Sequence, residues 1–81
     1  MKISNLTQAK IIWKLAHSPE NKRKIPILAS ELELSYSSIA QNLSILVAGE
    51  LIKKRKVGTQ VFYVPSEISV LQAKEWLSIT E

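Results

Sequence analysis

Between positions 28 and 52 the chain reads LASELELSYSSIAQNLSILVAGELI, and the spacing of its apolar residues changes where the backbone has to turn. Leu28, Ala29 and Leu32 share a short helical face, Leu34 closes a corner, and Ser35 opens the next run. Ser35 suits an N-cap: its hydroxyl can accept from a free first-turn amide, and no Pro or Gly interrupts positions 36–48. Ile39, Leu43 and Leu46, at i, i+4 and i+7, form the inward stripe of that second helix. Ser37, Gln41, Ser44 and Ala48 are left facing outward, so two helices joined by a tight turn are predicted, the second with a small, polar, uncharged outer surface.

The flanks predict three more elements. A first helix over 5–17, capped by Ser4 or Asn5, carries Leu6, Ala9, Trp13 and Ala16 on one side. Ile11, Ile12 and Leu15 widen its apolar arc past half the circumference, leaving Thr7, Lys10, Lys14 and His17 as the polar stripe. Ser18, Pro19, Glu20 and Asn21 are turn residues, followed by the basic run Lys22, Arg23, Lys24 and by Pro26, which a first helical turn tolerates. Positions 52–57 and 61–64 favour strands and are separated by Gly58, Thr59 and Gln60, which predicts a hairpin whose loop is two or three residues long. Alternation puts Lys54 and Lys56 on one face of that ribbon and Lys53 and Arg55 on the other, so cations project whichever face packs inward. Phe62 and Tyr63 alternate too, and one of them must fill the core beneath the hairpin. Pro65 ends the second strand and Ser66 caps a last helix over 67–79, with Val70, Ala73, Trp76 and Leu77 on one side and Ile68, Leu71 and Ile79 on another.

The fold class expected from this order is mainly α with a small β-hairpin: a winged helix-turn-helix of about four helices plus a two-stranded wing, occupying 1–81 as a single domain. The same residues resemble the winged helix-turn-helix of arsenic-repressor-type (ArsR-like) and multiple-antibiotic-resistance-type (MarR-like) regulators. The resemblance rests on Leu28, Ala29, Leu32, Leu34, Ser35, Ser37, Ser38, Ile39, Leu43, Leu46, Leu51, Ile52, Gly58 and Tyr63 and covers about half the chain. It implies that the helix over 36–48 enters the DNA major groove and that the hairpin is a wing on the flanking backbone. The pattern departs from those families at one point: they place Gly directly before the Leu-Ile pair, whereas Glu50 stands there and Gly49 precedes it. Because a left-handed helix end suits Gly better than Glu, the helix is expected to stop a residue early.

Charge narrows the partner. The 81 residues carry a net charge of +4 and a pI near 9.6, which favours an anionic partner, and seven of the eleven basic residues fall in the two runs 22–24 and 53–56. The first run is either a solvated loop or a backbone contact. The second, alone, would read as a charged edge that blocks strand pairing; beside a recognition helix it reads as phosphate-binding. There is no Cys and a single His, which leaves no zinc ligand set, and Glu31, Glu33, Glu50 and Glu67 are scattered without a nucleophile or base, so neither a cofactor nor an enzyme is expected. No apolar run reaches membrane-spanning length and the start lacks a signal-peptide layout, which predicts a cytoplasmic protein with no membrane contact.

The expected function is sequence-specific binding of double-stranded DNA by a homodimeric transcriptional regulator. Tyr36, Ser37, Ser38, Gln41 and Ser44 are the candidate base-contacting residues, Gln41 first because its amide can pair bidentately with adenine. Lys53, Lys54, Arg55, Lys56, Gly58, Thr59 and Gln60 are the candidate backbone contacts. The broad apolar arcs of the terminal helices point to Leu6, Trp13, Val70, Ala73, Trp76 and Leu77 as the dimer interface. The alternatives are an interaction module that binds an acidic protein or RNA, and a non-specific architectural DNA-binding protein.

Overall fold

The computed structural model describes residues 2–19 and 24–78, ordered as α1 (Leu6–Ala16), α2 (Ile25–Leu32), α3 (Tyr36–Ala48), β1 (Ile52–Val57), β2 (Gln60–Pro65) and α4 (Glu67–Trp76). Glu20, Asn21, Lys22, Arg23 and Ile79, to which the sequence assigns turn, charge and helix roles, lie outside the described residues. Three helices begin on a capping side chain. Asn5 Oδ1 accepts from the Gln8 amide at 2.8 Å, Ser35 Oγ from Ser38 at 3.1 Å, and Ser66 Oγ from Ser69 at 3.1 Å. Each such cap is worth about 1 kcal/mol against alanine. α2 has Lys24 at its N-cap with no side-chain cap, and Pro26 sits in its first turn as expected.

One core holds these elements together. Ile11, Ile12 and Leu15 of α1, Leu28 of α2, and Ile39, Leu43 and Leu46 of α3 are fully buried, and Leu51, Ile52, Tyr63 and Ala73 complete the core. Tyr63, rather than Phe62, fills the space under the hairpin. The core also holds a polar residue that periodicity does not reveal. Gln8 is buried on α1, and its Oε1 accepts from the Ser4 amide at 2.9 Å and the Ser4 hydroxyl at 3.1 Å. Gln72 on α4 reaches the same segment, accepting from the Ile3 amide at 2.8 Å, so the chain start is tied to both terminal helices. A Lys14–Glu31 ion pair at 2.9 Å joins α1 to α2 on the surface, where it contributes about 0.2–1 kcal/mol.

Both helices of the helix-turn-helix end in the left-handed conformation on a glutamate. Glu33 has φ 56° and the Leu34 amide donates to Ala29; Glu50 has φ 63° and the Leu51 amide donates to Leu46. The expected early stop of α3 does not occur. The helix runs to Ala48, Gly49 keeps a negative φ, and Glu50 takes the left-handed position because Leu51 must turn straight into the core. At the other end of the chain α4 stops sooner than the expected 67–79: Trp76 is its last residue, and Ser78 turns left-handed at φ 54°.

The hairpin loop is the two-residue one. Val57 pairs with Gln60, leaving Gly58 and Thr59 as the turn, and only Gly58 has a positive φ, 61°. A Cβ there would meet no atom within 4 Å, so backbone conformation, not space, selects glycine. At the hairpin's base the Ser66 amide donates to the Leu51 carbonyl at 2.9 Å, which fixes the wing to the core and starts α4.

Candidate nucleic-acid interface

α3 presents the face the sequence expects. Ser37, Gln41, Ser44 and Ala48 are exposed, and their inward counterparts Ile39, Leu43 and Leu46 lie in the core. Tyr36 stands at the head of this face, 57% exposed. Ser38 differs from its neighbours: it is half-buried, its amide is taken by Ser35, and its carbonyl accepts from the Asn42 side chain at 2.9 Å. Ile45 was missed. It is exposed one helical turn beyond Gln41, an apolar side chain on a polar face, and the i+4 spacing from Gln41 was the signal available.

The wing stands beside that face. Every β1 residue except Ile52 is exposed, so Lys53, Lys54, Arg55 and Lys56 all reach solvent, as do Gly58, Thr59 and Gln60. The pairing distributes the cations: Lys54 lies opposite Tyr63 and Lys56 opposite Val61, on the face that covers the core, while Lys53 opposite Val64 and Arg55 opposite Phe62 share the other. Lys24, at the start of α2, holds its ammonium 5.4 Å from the Phe62 ring centre, a cation–π contact worth about 0.5–1 kcal/mol at an exposed site. Between the starts of α2 and α3 and the wing lies a cleft of about 460 Å³, lined among others by Lys24, Pro26, Tyr36, Lys54, Gln60 and Tyr63 and by no carboxylate among the described residues. The Tyr63 phenol has its pKa raised above the ordinary value by burial and, secondarily, by the Tyr36 phenol.

The candidate dimer residues divide. Leu6 and Trp76 are exposed, whereas Trp13, Val70 and Leu77 are half-buried against the core, and His17 covers Trp13 with ring centres 4.2 Å apart. Ala73 lies in the core at 0% exposure, on the helix that packs against α1. The face that α4 does expose carries Ile68 at 66% and Leu71 at 63%, the side the sequence reading set apart from the interface. Leu71 also borders a shallow apolar groove of about 470 Å³ with Ala16, Val64, Pro65 and Val70.

Four helices with a two-stranded antiparallel wing after α3 define a winged-helix fold, and solved structures share it. The structure of wild-type Lactococcus lactis ZitR superposes with a TM-score of 0.76 at 28% identity, over 94% of this chain and 50% of that one. A second structure, described as a zinc-responsive MarR family member, Lactococcus lactis ZitR, gives 0.76 at 23%, covering 96% and 54%. The zinc-dependent MarR family transcriptional regulator AdcR in its Zn(II)-bound state gives 0.74 at 19%, covering 94% and 52%. This chain therefore spans about half the length of the chains it matches. The likeness falls on the MarR side of the expected resemblance, with transcriptional regulators rather than enzymes as neighbours. No family model matches the sequence, and no curated protein does. The zinc of those neighbours finds no site among the described residues, where no three His, Cys, Asp or Glu side chains come together. Nor is any helix among them long and apolar enough to cross a membrane.

Proposed function

We propose that this chain binds double-stranded DNA sequence-specifically, as a homodimer, and regulates transcription in the cytoplasm. The observation that carries the reading is the packing of an exposed, uncharged polar helix face, α3, against a wing whose two faces carry four exposed cations. A surface of that kind separates two tasks. The wing's cations neutralise phosphates on any sequence, while Gln41, with Ser37 and Ser44 on the same face, offers hydrogen bonds to base edges and Ile45 offers an apolar contact for a thymine methyl. Two copies related by a two-fold axis would place two α3 helices in successive major grooves about one helical turn apart.

For the dimer, the exposed apolar residues Ile68, Leu71 and Trp76 of α4 and Leu6 of α1 supply the contact. Selection of bound sequences from a random duplex pool, followed by titration of the selected duplex at several salt concentrations, tests the reading. A recovered motif in two related half-sites and a steep loss of affinity with salt support it. Binding without a motif would leave an architectural role, and failure to bind duplex while an acidic protein or RNA is retained would leave an interaction module.

A further inference from the structure

Tyr63 makes the cleft beside the wing more than a gap between elements. It is 7% exposed, yet no hydrogen bond to its hydroxyl occurs among the described residues. No polar side-chain atom among them is both sealed from solvent and unpartnered, so that hydroxyl keeps its small access, and Tyr63 lines the cleft. That donor meets water in the free protein, and an acceptor seated in the cleft can take the water's place. What surrounds it describes the acceptor. Lys54 lies directly opposite Tyr63 across the hairpin, Tyr36 lines the same cleft from α3, and the wall from α2 is a helix start with no side-chain cap, where Pro26 itself supplies no amide donor. All of these are donors or positive, and no carboxylate among the described residues lines the space.

We propose that this cleft seats one backbone phosphate of the bound DNA, with Lys54 supplying charge and the Tyr63 and Tyr36 hydroxyls donating to its oxygens, so that a single phosphate sets the register of α3 in the groove. The inference rests on the DNA-binding reading and deepens it. Tyr36 thereby becomes a backbone contact rather than a base contact, and Tyr63 becomes a positioning residue as well as a core residue. Burial favours the protonated phenol, so the donor persists through the neutral range.

The test uses the duplex selected above with one phosphate at a time replaced by an uncharged methylphosphonate, titrated with the parent, Tyr63→Phe and Lys54→Gln. For the parent, one position in each half-site should cost more affinity than its neighbours. Tyr63→Phe keeps the ring and loses the donor; it should weaken binding roughly tenfold on the unmodified duplex, lose little more at that position, and leave the salt slope unchanged. Lys54→Gln should show the same insensitivity at that position and lower the slope by about one unit. A purely structural role for Tyr63 would not single out one phosphate. Additive losses for Tyr63→Phe at every position overturn this inference while DNA binding stands, and no binding to any duplex overturns both. A second arm adds inorganic phosphate to the DNA-free protein. Spectral shifts confined to Tyr36, Lys54 and Tyr63 at concentrations that leave DNA bound would assign the cleft to a free anion and overturn the backbone contact.

Discussion

Replacing Glu50 by glycine should make the protein more stable. Glu50 sits at φ 63°, where an L-residue with a Cβ is disfavoured by roughly 1–2 kcal/mol and glycine is not. Its carboxylate also lies at the negative end of α3, which adds about 0.3–1 kcal/mol of unfavourable interaction at low salt. Against these stands the greater freedom of glycine in the unfolded chain, about 0.4–1 kcal/mol. Glu50 is exposed, and its side chain makes no hydrogen bond or ion pair among the described residues, so nothing further is lost. The balance is a gain of about 1 kcal/mol, or about 4–8 °C in Tm for a domain of this size. Urea unfolding followed by the fluorescence of Trp13 and Trp76 measures it, with an unchanged m-value showing that the same surface is exposed. Glu50→Ala is the control: it removes the charge but keeps the Cβ, and should gain only the charge contribution of about 0.3–1 kcal/mol. If Glu50→Gly proves no more stable than Glu50→Ala, the left-handed strain assigned to this helix end is not there.

Leu71→Glu should dissociate the proposed dimer without unfolding the chain, since Leu71 is 63% exposed and its full burial in a two-fold interface would be worth about 1.5–3 kcal/mol per copy; sedimentation reads the mass, and an unchanged dimer refutes this face. Stability should be flat below the unfolded tyrosine pKa, near 10.0, and fall as pH rises from there through the raised pKa of folded Tyr63, because the unfolded chain releases that proton first. Tyr63→Phe should reduce that alkaline fall, and melting curves against pH check it. Ile45→Ser should weaken binding to the selected duplex wherever a thymine lies beneath it, by about 0.8 kcal/mol per methyl or methylene group no longer buried, with little effect on a site carrying another base there.

The parts of the fold decided by neighbours in sequence were legible: the caps at Asn5, Ser35 and Ser66, the inward stripe Ile39, Leu43 and Leu46, and the exposed face around Gln41. What depended on distant packing was not. α4 is apolar on two sides, and only its contact with α1 decides that Ala73 goes in while Ile68 and Leu71 stay out. Gln8 looks like a surface residue until Ser4 folds back onto it, and Glu50 looks wrong for a helix end until Leu51 is seen to need the core. The loop length was ambiguous because Gln60 fits a turn as well as a strand, and pairing with Val57 resolves it. For the site, residue types and spacing located α3 and the wing, but the cleft that brings Tyr36, Lys54 and Tyr63 together exists only once the wing is folded against the helices.

The central claim is that α3 reads sequence while the wing holds the backbone, and one measurement tests it: titration of the parent, Gln41→Ala and Arg55→Ala against the selected duplex and a scrambled one. Gln41→Ala should lose about 1–3 kcal/mol on the selected site and much less on the scrambled duplex, so that discrimination shrinks. Arg55→Ala should weaken both by a similar factor and lower the salt slope by about one unit. A Gln41→Ala protein that discriminates between the two duplexes as well as the parent would contradict the account.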